Sequence, residues 1–249
     1  MIRLVGSEIF KLRTTRTFYG VTLLPLALVV IIVVVASLTA KFTGDSRDVL
    51  LQLMGITGLT QIFTLVLGIL AVTSEYRHGT ITPSALVVPD RIRLGLGKLG
   101  ATLLVGLIYG LLSGLLVTLI GLLLVSSRNI PTEATFSHAA KLIVGGAIAT
   151  ALYGAVGVGI GAIIRNQVGA IVGSLIYLFL VENLVGAISG LDKIVPVYGL
   201  NGAGTALSGT GTGSTDYLAQ VPGGLVLLAW AAVLLAIGLT MMRSRDVTA

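Results

Sequence analysis

Apolar runs long enough to cross a bilayer alternate with short polar intervals along the whole chain. A hydrocarbon core of about 30 Å needs about 20 apolar residues in helical form. Six runs meet that length, at about 18–40, 53–73, 99–125, 139–164, 168–188 and 222–242. In lipid, backbone groups must bond within their own segment, so such runs are helices. The pattern predicts an all-α polytopic membrane protein with six transmembrane helices and one domain over 1–249. Ahead of the first run, residues 1–16 are too polar to insert. There Ile2, Val5, Ile9 and Leu12 recur at helical spacing, with Arg3, Ser7, Lys11 and Thr14 opposite. That is the pattern of a basic amphipathic helix on a membrane surface. The run from Phe18 to Ala40 is uncharged and about twice as long as a signal-peptide core, so it reads as an anchor, bent at Pro25.

Polar and small residues inside the runs qualify this picture. Thr57, Gln61 and Thr64 fall on one face of the second run, a stripe expected to meet other helices or a water-filled transport path rather than lipid. Gly106, Gly110 and Gly114 repeat every fourth residue in the third run, Gly157 and Gly161 do so in the fourth, and Gly169 and Gly173 in the fifth. Such seams let helix backbones approach closely. Glu182 and Asn183 lie in the last third of the fifth run, and Glu182 is the one acid expected inside a span. A carboxylate there is costly and marks a use, so both residues join the candidate path, where they would bond to the following segment and hold it as a cap. That segment, 190–221, is rich in Gly, Ser and Thr and is expected to form turns and loops around short apolar pieces.

Composition agrees with a membrane protein. Hydrophobic residues make up 55% of the 249 and charged residues only 10%, too few to cover a soluble surface. The net charge of +6 suits anionic lipid better than nucleic acid. With no cysteine, disulfides, thiol nucleophiles and thiolate metal sites are excluded. Placed on alternate sides, Arg3, Lys11, Arg13, Arg16, Arg77, Arg91, Arg93, Lys98, Arg165, Arg243 and Arg245 outnumber Lys41, Arg47, Arg128, Lys141 and Lys193. The first side, with both termini, is expected to be cytoplasmic and the membrane a plasma membrane. His78 and His138 then fall on opposite sides and cannot pair around a metal. Gly97-Lys98 is followed by Leu99, so no P-loop is present, and no nucleophile-elbow sequence occurs. No enzymatic constellation is expected.

The longest basic interruption is Ser74 to Lys98. Its Glu75-x-Arg77-x-Gly79-Thr80, Pro89-x-Arg91 and Gly97-Lys98 resemble the pattern of type-two ABC exporter permeases. Glu8-x-x-Lys11-Leu12-x-x-x-Arg16 resembles the surface helix of that family and Arg245-Asp246-Val247 its end, whereas Thr82-Pro83 departs from it where uninterrupted helix is expected. The resemblance implies a short coupling helix between spans two and three, with Glu75, Arg77, Gly79, Thr80, Pro89, Arg91 and Lys98 carrying contact to a separate ABC ATP-binding subunit. It further implies a second permease copy or homologue, export of substrate between the two halves, and ATP and Mg bound by the partner and not by this chain. From the residues alone, Glu75 is expected to pair with Arg13 or Arg16. Two other classes fit the span pattern. An ATP-independent secondary transporter or channel would carry more charge within its spans. A non-transporting anchor would not need polar faces on spans two and five.

Overall fold

The computed structural model describes residues 2–14, 16–39, 46–80, 88, 90–127, 136–211 and 215–244. Among them every regular element is a helix. Helix α1 (Ile2–Thr14) precedes α2 (Arg16–Thr39), the first crossing. The second crossing is broken at Ile56 and Thr57 into α3 (Ser46–Gly55) and α4 (Gly58–Arg77). Then come α5 (Arg91–Ser127), α6 (Phe136–Ile163) and α7 (Gln167–Ile176), which passes through a π-helical turn (Tyr177–Val181) into α8 (Glu182–Gly186). Short helices α9 (Val195–Tyr198) and α10 (Leu200–Ser208) lead to α11 (Gln220–Ser244). Among the described residues six stretches are long and apolar enough to cross a membrane: Tyr19–Thr39, Asp48–Arg77, Arg91–Leu124, Ser137–Ile163, Gln167–Gly186 and Gln220–Ser244.

Helix α6 is the hub, packed by α4, α5, α10 and α11. Its many glycines and alanines explain why. A Cβ added at Gly110 would lie 2.6 Å from Ala147 Cα, and one at Gly106 2.8 Å from Ala151 Cα. One at Gly157 would strike the Leu65 carbonyl, one at Gly161 would sit 3.0 Å from the Ile69 carbonyl, and Gly114 faces Ile143. The seams of the third and fourth spans thus bring α4, α5 and α6 into near backbone contact, with dispersion between the helices as the reward. The seam expected in the fifth span is different. Gly173 has nothing within 4 Å of an added Cβ, and Gly169 meets only Asn166, whose Oδ1 accepts its N–H and caps α7. Among the described residues Gly169 and Gly173 pack against no other helix: both are exposed, and α7 meets the core through Ala170, Ile171 and Ser174 instead.

The segment 190–221, expected as loops, holds α9 and α10. Leu200, Ala203, Ala206 and Leu207 of α10 are buried against α6 and α11. Its glycines act as contact points, Gly204 against the Tyr153 ring and Gly202 against the Pro196 carbonyl. Three spans satisfy the ends of these short helices. Tyr153 Oη donates to the Leu200 carbonyl at 2.9 Å, Trp230 Nε1 to the Tyr198 carbonyl at 3.0 Å, and the Asn201 N–H to Glu182 Oε1 at 2.9 Å. Helix ends buried away from water require such partners.

Candidate functional site

The end of α4, the start of α5 and helix α1 meet at the face of the bundle that carries the N-terminus. Helix α4 stops at His78, where Thr80 N–H bonds to the Glu75 carbonyl at 2.9 Å and Gly79 N–H to that of Tyr76 at 3.3 Å. This Schellman closure needs a left-handed residue after the cap, and Gly79 supplies it at φ 67°. Gly79-Thr80 is thus a helix stop. Residues 81–87 and 89 lie outside the described residues, and with them Thr82-Pro83, Pro89 and the coupling helix expected there. Asp90 starts α5: its Oδ1 accepts the N–H groups of Ile92 at 3.0 Å and Arg93 at 3.3 Å. An N-cap aspartate satisfies donors that the first turn leaves free.

Helix α1 docks on α5 where Gly97 and Gly100 leave room for Leu4 and Val5. The middle of its buried face is a charge, Glu8, at 4% exposure. Lys98, at 1% exposure, places Nζ 2.9 Å from Glu8 Oε2 and 2.8 Å from Glu75 Oε1. Lys11 Nζ lies 2.8 Å from Glu8 Oε1 and 3.1 Å from Glu75 Oε1. Two carboxylates and two ammonium groups therefore form a charge-balanced ring joining α1, α4 and α5. An ammonium has three donors, which is how each lysine reaches both acids. Burial alone would raise the Glu8 carboxyl, but the Lys98 charge and the hydrogen bonds from both lysines outweigh it and hold its pKa below the ordinary value. Burial would likewise lower Lys11, but the hydrogen bond to Glu8 and the charges of Glu75 and Glu8 carry its pKa above the ordinary value.

Further contacts bind neighbouring spans to this ring. Arg91 Nη1 donates to the Met242 carbonyl at 3.1 Å, holding the last turn of α11. Arg77 Nη1 reaches Gln167 Oε1 at 3.4 Å, and the Arg165 guanidinium stands 4.9 Å over the Tyr76 ring, so the end of α4 also grips the turn before α7. The face becomes one unit of four spans plus α1.

Several expectations change. Arg91, Arg93 and Lys98 lie on α5 and not in a loop, because Asp90 caps the helix early. Lys98 and Glu75 are buried within the chain, where each takes part in the ring, whereas Arg77, Gly79 and Thr80 are exposed. The partners of Glu75 are Lys11 and Lys98, while the side chains of Arg13 and Arg16 lie outside the described residues. Thr57, Gln61 and Thr64 do share a buried stripe, but it is closed. Thr57 Oγ1 donates to the Met54 carbonyl and Thr64 Oγ1 to that of Thr60, and Gln61 abuts Gly204 of α10. Glu182 does bond the 190–221 segment at Asn201, whereas Asn183 is exposed and turns back to the Phe179 carbonyl at 3.0 Å.

Sequence reasoning missed Asp90 as a cap, although an Asp before an apolar run is its signal. It also missed that Glu8 and Lys11 complete the ring, since i, i+3 spacing on α1 gives no hint of partners 64 and 90 residues away.

Residues 4–181 match the family model described as ABC-2 family transporter protein. No curated protein matches the chain significantly.

Proposed function

The chain belongs to the ABC-2 family of transporter proteins and is a permease-type membrane component, and on that premise we propose that it is the membrane-spanning subunit of an ABC exporter. In this reading a separate ATP-binding subunit binds ATP and Mg, closes, and pushes on the segment between α4 and α5. Two permease copies, or this chain and a homologue, expose a small or amphiphilic substrate alternately to the two sides and release it outward. The termini and the ion ring are cytoplasmic and the membrane is the plasma membrane.

The observation that carries the reading is the Glu8–Lys11–Glu75–Lys98 ring at the root of the 81–89 segment. Buried ion pairs hold their geometry tightly, because breaking one strands a charge in low dielectric. A push on that segment is thereby delivered to α1, α4 and α5 together, and through Arg91 and Arg77 to α11 and α7. Levers of this kind need an outside source of work, and the chain has no phosphate-binding loop of its own. The reading is tested by co-expressing the chain with candidate ABC ATP-binding subunits from the same genome. Co-purification and an ATPase rate that depends on the permease support it; failure of the chain to associate with any of them, with transport continuing without ATP, overturns it.

A further inference from the structure

On the face away from the N-terminus, a cavity of about 410 Å³ opens between α8 and the α9–α10 hairpin. Glu182 lines it at 5% exposure, with Asn183, Asn201, Thr205, Thr215 and Tyr217 among its other walls. None of the described lining residues is basic. The Glu182 carboxylate accepts the Asn201 N–H, shared between Oε1 at 2.9 Å and Oε2 at 3.2 Å, is also met by the Gly202 N–H, and has no ion pair among the described residues. A carboxylate offers about four lone-pair positions, so capacity remains for another donor.

The chain holds this group in place with some care. The π turn Tyr177–Val181 comes directly before Glu182, and its extra residue per turn rotates the following helix relative to an unbroken one. The Leu178 carbonyl in that turn receives Asn201 Nδ2 at 2.7 Å, so Asn201 clamps both the turn and the carboxylate. Gly199, whose added Cβ would strike Glu182 Oε1, lets the side chain lie against the hairpin. The rest of the lining suits a cation. Asn183 gives one of its two amide N–H groups to the Phe179 carbonyl and offers its oxygen as an acceptor, and Thr205, Thr215 and Tyr217 stand beside the apolar Ala187 and Pro196. A tyrosine face attracts ammonium groups. A second cavity, about 440 Å³, shares Thr205, Thr215 and Tyr217 with the first and contains Lys141 and His138. Positive charge in the combined cleft is therefore directed toward the Glu182 end.

The geometry points to a binding site for the ammonium head of an amphiphilic substrate, with Glu182 as its counter-ion and the hairpin as its wall. This rests on the exporter reading and names the substrate class that it leaves open. The experiment uses the full chain in lipid nanodiscs, with and without its ATP-binding partner. Trp230, the sole tryptophan, bonds to the hairpin at Tyr198 and reports on it by fluorescence. The probes are decylammonium, decanol and decanoate. Decylammonium is expected to change the Trp230 signal saturably, with decanol and decanoate giving only a linear partitioning signal. Glu182→Gln keeps an acceptor for Asn201 and should weaken decylammonium binding at least tenfold. Thr215→Lys, which places a cation in the cleft without touching Glu182, should do the same, and it serves where Glu182→Gln does not fold. Equal binding by the folded variant and the natural chain, or saturable binding of decanoate, overturns the inference and leaves Glu182 as a cap for α10 only. Binding is read on the permease itself. Loss of the ammonium effect beside an intact coupled ATPase therefore sinks this inference alone. Glu182-dependent binding in a chain that recruits no ATPase upholds the site and sinks the exporter reading.

Discussion

Glu8 Oε2 and Lys98 Nζ lie 2.9 Å apart although 90 residues separate them in the chain. The pair joins an N-terminal helix to the root of the third span, almost completely out of water. Removing one member of such a pair typically costs about 3–5 kcal/mol, because the other charge is left buried, whereas removing both is often near neutral. Lys98→Met alone is therefore expected to reduce thermal stability in detergent sharply, and Glu8→Gln/Lys98→Met to recover most of it. A double variant no more stable than the single one would show that the two residues are not energetically coupled.

The ring sets a pH range for the docking of α1. The pKa of Glu8 is lowered, so its contribution is complete above the unfolded value and is lost as pH falls through the folded one. The pKa of Lys11 is raised, so its contribution is complete below the unfolded value and is lost as pH rises through the folded one. Docking should hold across neutral pH and weaken below 4.5 and above 10.5. Spin labels at the exposed positions Phe10 and Leu96 would report it as a distance that is constant from about pH 5 to 10. A change centred near pH 7 would contradict this assignment.

The glycine seams separate into two kinds. Gly157→Leu drives a side chain into the Leu65 backbone, and overpacking of that kind costs about 1–3 kcal/mol or more. It should abolish a monodisperse folded chain in size-exclusion chromatography. Gly173→Leu meets open space and should leave the fold of the single chain intact. Equal outcomes for the two would mean that α6 is not the hub it is taken to be.

The span layout was legible because lipid imposes a strict rule: a run such as Phe18 to Ala40 has only one way to satisfy its backbone. The stripe Thr57, Gln61 and Thr64 correctly announced a buried face. Whether that face was closed or wet depended on α10, a helix whose Gly-rich composition reads as loop. Composition misled there because glycine serves close approach as well as turns, and only the facing Tyr153 decides which. The motif residues Glu8, Glu75 and Lys98 were each picked out, but not as partners. Periodicity relates residues on one helix and says nothing of ion pairs between helices. Lys98 therefore read as a loop cation for a partner surface, when it is the most buried charge of the ring.

In the proposed exporter the Glu8–Lys11–Glu75–Lys98 ring transmits work from an ATP-binding partner to the spans. The most direct measurement is ATP-driven substrate transport, with ATPase measured in parallel, by the complex carrying Glu8→Gln/Lys98→Met, which removes the buried ion pair between α1 and α5 without stranding either charge. The complex should still assemble and hydrolyse ATP, while transport per ATP falls about tenfold, equivalent to about 1.4 kcal/mol of lost coupling. Transport per ATP at the level of the natural chain, in a complex that still assembles, would contradict the claim.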